Sequence, residues 1–199
     1  MRSTLLLSLA LTGCPKPTDA AGPVSGGSGG GAGGGTAPTT QVEQLSSSVT
    51  ADGLVEVKVD MNTDGKPEIV NYYRERSDAA RLLVRKDTDL NQDGRIDVRT
   101  EYDDAGQRVK EQIDADFDGR ADWVDHYIAG KRTYTEADTD FNGTFDLFKY
   151  FEAGVVRRKE RDSDGNGKID AWEYLDEQGV VVKTGRDVDG DGTMDVGAR

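Results

Sequence analysis

Asp162-Ser163-Asp164-Gly165-Asn166-Gly167-Lys168-Ile169-Asp170 carries oxygen-bearing side chains at its first, third, fifth and ninth positions and a glycine at its sixth. Ca²⁺ takes about six to eight oxygen ligands, and a short loop supplies them only if alternate residues turn inward and a glycine permits a sharp bend. The side chains expected to turn inward are those of Asp162, Asp164, Asn166 and Asp170. The carbonyl of Lys168, at position 7, would be a backbone ligand. Glu173, at position 12, would close the shell with a bidentate carboxylate.

The same spacing occurs six times in the chain, and we number these stretches loop one to loop six. Their position-6 glycines lie 29, 25, 24, 24 and 25 residues apart. A near-constant period of this length indicates a repeat architecture, in which each unit contacts mainly its neighbours. The candidate ligands of the other five loops are Asp60, Asn62, Asp64 and Glu68; Asp89, Asn91, Asp93 and Asp97; Asp114, Asp116, Asp118 and Asp122, with Asp125 at position 12; Asp138, Asp140, Asn142 and Asp146; and Asp187, Asp189, Asp191 and Asp195.

Two other interpretations of the loops stay open. Asp, Asn and Gly favour metal-free turns because the short side chains bond to the local backbone. A turn needs only one such side chain, however, and three or four carboxylates held close together repel one another unless a cation is bound. Mg²⁺ is the rival ion, but it requires tight octahedral geometry and keeps its water.

The composition limits the possible functions. The net charge is −13, and 20 of the 38 acidic residues stand at ligand positions of the loops, so the acidity is concentrated. Such a chain repels phosphate, which argues against a nucleic-acid partner. One Cys and one His exclude an intrachain disulfide and the usual Cys/His zinc site. Hydrophobic residues make up only 35% of the chain, which indicates a small apolar core.

The N-terminal region predicts export rather than structure. Leu5 to Leu11 form an apolar run too short to cross a bilayer, and the run closes in Leu11-Thr12-Gly13-Cys14. From about residue 15 to residue 40 the chain is rich in Gly and Ser, which predicts a flexible linker. We therefore divide the chain into a leader (1–13), Cys14 with the linker (14–40), and a repeat domain (41–199).

The repeat domain is predicted to be all-β. Between loops the sequence alternates as strands do, and a second turn is marked by Gly106, Gly130, Gly154 and Gly179. We expect an antiparallel meander of about eleven or twelve short strands, a solenoid-like array of hairpins with the acidic loops along one edge and the glycine turns along the other. Residues 41–51 could form a short helix or an edge strand. Only four residues follow loop six, so its closing strand is expected to be missing.

Two resemblances extend this prediction. Leu11 to Cys14 resembles the lipobox of bacterial lipoproteins, which implies a diacylglycerol thioether on Cys14 and attachment to the membrane of the cell envelope. The residue after Cys14 is Pro15 and not Asp, which favours the outer membrane or the cell surface. The loops resemble those of EF-hands, dockerins, thrombospondin type 3 repeats and FG-GAP-type hairpins. That likeness implies up to six Ca²⁺ ions.

The loops depart from the EF-hand pattern in two respects. Their flanks are strand-like, whereas EF-hands need helices. Only Asp125 and Glu173 are acidic at position 12; the other loops have Asn71, Thr100, Lys149 and Ala198 there. We therefore expect affinities of roughly 10⁻⁴–10⁻³ M, with loop five tightest and loop three next.

These patterns indicate the kind of protein but do not identify its partner. We expect a lipid-anchored envelope protein with a structural or adhesive role. The alternative is a glycan- or protein-binding module in which the loops are structural only. Trp123, Trp172 and His126 are expected to be packing residues, with carbohydrate stacking as the functional option for the two Trp residues. No catalytic residues are predicted, because the clustered carboxylates are already explained by metal binding.

Overall fold

The computed structural model describes residues 43–77 and 79–198. The expected leader, Cys14 and the Gly-rich linker lie outside these ranges. In the described part the chain forms strands and turns, and no helix there has the length and apolar character needed to cross a bilayer.

The described residues form thirteen strands: β1 Glu43–Val49, β2 Val55–Asp60, β3 Ile69–Arg74, β4 Leu82–Thr88, β5 Val98–Tyr102, β6 Arg108–Ile113, β7 Trp123–Ile128, β8 Lys131–Ala137, β9 Leu147–Glu152, β10 Val155–Arg161, β11 Ala171–Leu175, β12 Val181–Arg186 and β13 Val196–Ala198.

The strands make one antiparallel sheet in which the spatial order is the chain order, β1 to β13. The prediction of an all-β meander is confirmed. Contacts between strands are essentially confined to neighbours in the chain, and the sheet is open, with β1 and β13 at its two edges. It is therefore a single layer, and its strands contact no second sheet within the described residues.

Alternate connections of a meander lie at opposite ends of the strands. The acidic loops therefore lie together along the side of the sheet formed by one set of strand ends, here called the loop edge, and the glycine turns lie along the opposite side. Backbone hydrogen bonds join consecutive loops directly. The N–H of Asp89 in loop two donates to the carbonyl of Glu68 in loop one at 2.8 Å, and the N–H of Asp138 in loop four donates to that of Asp122 in loop three at 2.8 Å. The loops therefore form a continuous row.

Apolar side chains are buried on both faces of the sheet. The cross-strand register places Val124 and Trp172 on one face and Ala137 and Leu147 on the other. With no second layer to cover these residues, burial depends on side chains within each face.

Long cationic side chains supply part of that cover. The Arg158 guanidinium lies 3.8 Å from the centre of the Tyr150 ring, and the Lys149 ammonium lies 4.4 Å from that of Trp123. Lys and Arg can bury their methylene stems on an apolar surface while the charged group stays near water, and the charge is attracted to the ring face. This explains how a chain with few hydrophobic residues covers its aromatic side chains.

The structure bears on three expectations: the conformation of residues 41–51, the strand after loop six, and the packing of Trp172 and His126. Residues 43–49 form the edge strand β1 and not a helix. The expectation that loop six lacks a closing strand is wrong, because three residues of β13 suffice to pair with Thr184, Gly185 and Arg186 of β12. Trp172 is buried, and His126 Nε2 lies 3.0 Å from a carboxylate oxygen of Glu136 on the adjacent strand.

The tight turn between β9 and β10 generates a stability prediction. Ala153 and Gly154 both have positive φ, 51° and 84°, as a two-residue type I′ hairpin turn requires. Asn tolerates that region better than Ala. We expect Ala153→Asn to raise the free energy of unfolding by about 0.5–1 kcal/mol, measured by urea denaturation at fixed Ca²⁺.

The control is Ala105→Asn in the β5–β6 turn, since Ala105 is not among the residues with positive φ. Equal stabilisation by both changes would show that the turn geometry is not the cause.

Candidate metal centre

Each acidic loop joins the end of one strand to the start of the next, and its first and ninth residues sit where the chain leaves and re-enters the sheet. Position 1 is buried in loops one to five and position 9 in loops one to four; Asp60, Asp114 and Asp138, all at position 1, are 1%, 5% and 4% exposed. The residues between them protrude into solvent. Burying a carboxylate is costly unless it is hydrogen-bonded or paired with a cation, so each loop must provide partners for these groups.

The position-1 carboxylate accepts the hydrogen bond that closes every loop. In all six loops it accepts a hydrogen bond from the N–H of the position-6 glycine, at 2.6–2.8 Å. The bend that allows this contact puts the position-6 glycine in the left-handed region, with φ of 85–95°. A residue with a Cβ is strained there.

The other ligand positions are held in the same way throughout. The position-3 side chain accepts the N–H of position 5 at 2.9–3.3 Å. The position-5 side chain accepts the N–H of position 7 at 2.7–2.8 Å. The position-9 carboxylate accepts the N–H of position 2 at 2.6–3.0 Å. These bonds orient the oxygens and leave lone pairs for a cation, but a metal-free turn can make them too.

Position 4 was missed by the sequence analysis. Thr63, Gln92, Phe117 and Phe141 have φ of 61–65°, although none of them is glycine. The available signal was that loops five and six have Gly165 and Gly190 at this position. The left-handed turn at position 4 is thus a second backbone constraint of the loop. In four loops a residue with a Cβ adopts this strained conformation.

Five loops bring three carboxylates close enough to share an ion. In each triad, one oxygen per residue lies within 4.8 Å of the others. Two oxygens bound to the same Ca²⁺ at about 2.3–2.6 Å can be at most about 5 Å apart, so the triads fit. They are Asp60, Asp64 and Glu68; Asp114, Asp116 and Asp122; Asp138, Asp140 and Asp146; Asp162, Asp164 and Asp170; and Asp187, Asp189 and Asp195.

Loop two is the exception, because the described structure does not gather Asp89, Asp93 and Asp97 into such a triad. Asp118 of loop three is also outside its triad and instead forms an ion pair with Arg120 of the same loop. The position-5 amides Asn142 and Asn166 and the position-3 amide Asn62 donate to a neighbouring carboxylate of their own loops. Repeated acidic triads that can hold a metal ion are thus a property of five of the six loops described.

The pKa shifts of the carboxylates differ between loops one and three. Burial alone would raise the pKa of Asp60, but the N–H groups of Gly65 and Thr63 outweigh it and hold that pKa below its usual value. In loop three, burial first and then the surrounding carboxylates raise the pKa of Asp116. Like charges around Asp116 are what a bound cation would neutralise.

Two buried oxygens have no hydrogen-bond partner in the described structure. They are Oε1 of Glu68 and Oδ1 of Asp97, the position-9 residues of loops one and two. Glu68 and Asp97 are only 9% and 2% exposed. A buried carboxylate oxygen without a donor is costly, and a hard cation is a partner that would satisfy it. Glu68 also belongs to the loop-one triad, so the donor set fits a divalent ion.

The position-12 carboxylates, Asp125 and Glu173, lie outside the triads of their loops. Asp125 lies in β7, where it accepts a hydrogen bond from the buried Thr135 and pairs with Arg132 at 3.1 Å. Glu173 lies in β11 and pairs with Lys159 at 3.0 Å. Position 12 of an EF-hand is on a helix that folds back over the loop, whereas here it is the third or later residue of an extended segment and faces its cross-strand neighbours. The expected ranking of loops five and three by these residues therefore loses its basis.

Lys168 is placed with its side chain outside its own loop. Its ammonium donates to the carbonyl of Gly190 in loop six at 2.6 Å. The role of its carbonyl as a backbone ligand stays a prediction.

Comparison with known proteins gives no family. No family model matches the chain, and no curated protein sequence matches it. The interpretation of the loops therefore depends on their own geometry and chemistry.

The placement of Glu173 leads to a direct prediction. Glu173→Gln should leave the Ca²⁺ affinity of loop five within about twofold, whereas Asp170→Asn should lower it about tenfold, because only Asp170 belongs to the triad. The Gly167 amide reports on this loop alone, since it donates to Asp162, and its ¹H–¹⁵N shift can be followed during Ca²⁺ titration. A large loss of affinity in Glu173→Gln would restore position 12 as a ligand.

Proposed function

We propose that this protein is a calcium-binding β-repeat protein of the bacterial cell envelope, and that Ca²⁺ is a structural ion of its sheet. The observation that carries the proposal is the recurrence of a carboxylate triad in five loops along one edge, from positions 1, 5 and 9 in loop one and from positions 1, 3 and 9 in the other four. Oxygen-only donor sets favour hard cations, and a loop of flexible, water-accessible ligands suits Ca²⁺ better than Mg²⁺.

The ion would act by joining neighbouring strands. In loop five, Asp162 follows β10 and Asp170 precedes β11, so one ion in this loop would hold two strands together. A single-layer sheet has little buried apolar area per strand, and these links would add to a small stabilising term. An ion that binds only the folded state contributes RT ln(1 + [L]/Kd), about 1.4 kcal/mol per site at tenfold excess.

Export and anchoring complete the proposal. The lipobox-like segment ending in Cys14 supports a lipid anchor, and the 14–40 linker would hold the domain roughly 25–30 Å from the membrane. Ca²⁺ is abundant outside the cell and scarce in the cytoplasm, so the sheet would become rigid only after export. We propose the outer membrane or cell surface as its location and a structural or adhesive role there, with no catalysis.

One observation favours a second function, the binding of a glycan or protein on one sheet face. The register places His126, Tyr134, Tyr150 and Tyr174 in one cross-strand row, and Tyr134 lies 5.0 Å from Tyr150, centre to centre. These rings are half-buried. Arg158 already covers one face of the Tyr150 ring, which reduces the area free for stacking. Trp172 is too buried to serve as the platform.

The test of the main proposal is a thermal melt of residues 41–199, followed by circular dichroism, in 2 mM Ca²⁺, in 2 mM Mg²⁺ and in EGTA. We expect Ca²⁺ to raise the melting temperature by about 10 °C or more relative to EGTA, because several sites each add about 1 kcal/mol. Mg²⁺ should do much less. Asp162→Asn should remove part of the Ca²⁺ shift.

The matched control is Asp176→Asn. Asp176 caps the opposite turn by accepting the N–H groups of Gln178 and Val180, so it is an acidic turn residue outside the metal-type loops. Its replacement should lower the melting temperature in all buffers and leave the Ca²⁺ shift unchanged. A domain that melts at the same temperature in Ca²⁺ and EGTA would show that the loops are metal-free turns.

Anchoring is tested separately in cells. The full chain expressed in a Gram-negative host should incorporate an alkyne-tagged fatty acid and fractionate with the membrane, whereas Cys14→Ser should do neither. The Ca²⁺-dependent melt does not depend on this outcome, so failure of the lipid anchor would revise the location and leave the metal-binding proposal intact.

A further inference from the structure

Basic side chains cross from one loop to the next along the loop edge. The residue at position 7 is Arg95 in loop two, Arg120 in loop three and Lys168 in loop five. Each reaches the following loop. The Arg95 guanidinium comes within 3.8 Å of where a Cβ on Gly119 would stand, and Lys168 donates to the carbonyl of Gly190 at 2.6 Å.

The contact of Arg120 with loop four is the closest of these. Its guanidinium packs against Gly143 so tightly that a Cβ there would collide with it. Arg120 also donates from Nε to Asp118 at 2.8 Å, so the side chain is fixed across both loops. A delocalised positive charge, paired with Asp118 of loop three, is therefore held against loop four at Gly143.

The step from loop four to loop five lacks such a bridge. Position 7 of loop four is Thr144, whose short side chain carries no charge. A cleft of about 430 Å³ opens between the two loops, lined by Asp140, Thr144, Asp162 and Asp164 among others, and its one cationic side chain, Arg161, comes from β10 and not from loop four. Loop five thus receives no cation from the loop before it.

Loops four and five are otherwise matched in their side-chain ligands. Both have Asp, Asp, Asn and Asp at positions 1, 3, 5 and 9, and both gather the three carboxylates into a triad. Loop four has a second guanidinium nearby, because Arg161 lies 3.9 Å from Asp146. In the described part of the chain, no Lys or Arg nitrogen lies within 4 Å of the triad of loop five. The Lys168 ammonium is directed to loop six.

We infer that the position-7 cation acts as a tethered counter-ion that competes with Ca²⁺ in the following loop, and that Thr144 therefore makes loop five fill before loop four. The inference rests on the proposed function, since it concerns the order in which Ca²⁺ occupies the loops. By Coulomb's law, a nearby unit positive charge that is partly screened by solvent lowers the affinity for a divalent cation by roughly three- to tenfold.

The experiment is a Ca²⁺ titration of the full repeat domain, residues 41–199, labelled with ¹⁵N-glycine. The amides of Gly143 and Gly167 each donate to the position-1 carboxylate of their own loop, so their shifts report loops four and five separately. In the unmodified domain, Gly167 should titrate at a Ca²⁺ concentration roughly three- to tenfold below that for Gly143.

Three variants separate charge from bulk. Thr144→Lys should raise the Ca²⁺ midpoint of Gly167 roughly three- to tenfold, whereas the similarly long but neutral Thr144→Gln should leave it unchanged. Arg120→Gln should lower the midpoint of Gly143 toward that of Gly167. Thr144 is exposed, so its replacements are not expected to disturb the fold, and the remaining glycine amides check this in the same spectra.

The possible outcomes separate failure of the proposed Ca²⁺ binding from failure of the counter-ion inference. If no loop glycine responds to Ca²⁺, the proposed function fails. If the glycines respond but Gly143 and Gly167 share one midpoint, or Thr144→Lys and Thr144→Gln behave alike, Ca²⁺ binding stands and the counter-ion inference is overturned.

Discussion

The hydrogen bond from the position-6 glycine to the position-1 carboxylate is the interaction on which the structure depends. It recurs in all six loops at 2.6–2.8 Å. It closes the bend that returns the chain to the sheet, and in loops one to five the carboxylate that accepts it is buried at the end of a strand. Burial of that charge is costly without further partners. The same residue therefore determines the turn and places a carboxylate where a cation could bind.

Ions bound at the loops would matter more to a single-layer sheet than to a domain with a large apolar core. In residues 43–77 and 79–198, strands contact almost entirely their neighbours in the chain, and the few buried apolar residues are divided between two faces. A domain of this design gains little from a central core, so its stability is a sum of local terms: cross-strand pairs, cations on aromatic rings, and hairpin turns. Ions bound at the loop edge would add to each unit in turn. Coupling stability to Ca²⁺ in this way would suit a protein that must cross a membrane before it becomes rigid.

Much of the fold could be predicted from the sequence because its signals are local. The period of the glycines and the alternation between them determine hairpins, and hairpins in a row make a meander. The three-residue strand Val196–Ala198 was missed because pairing with β12 is a tertiary effect with no propensity signal. Glu173 was expected at the metal from its position-12 spacing, whereas in β11 it pairs with Lys159 of the neighbouring strand. The clustering of Asp162, Asp164 and Asp170 was predictable, whereas the crossing of Arg120 to loop four required the register of adjacent loops.

The central claim is that the loops hold ions and are not merely acidic turns, and counting bound ions tests it most directly. Native mass spectrometry of the repeat domain, exchanged into a volatile buffer with 1 mM Ca²⁺, gives the number of ions per chain. The account predicts a distribution that reaches five bound Ca²⁺, one for each triad, and that falls by one in the Asp162→Asn variant. A chain that carries no Ca²⁺ above the level of nonspecific adducts, measured on an acidic protein of similar charge, would contradict it.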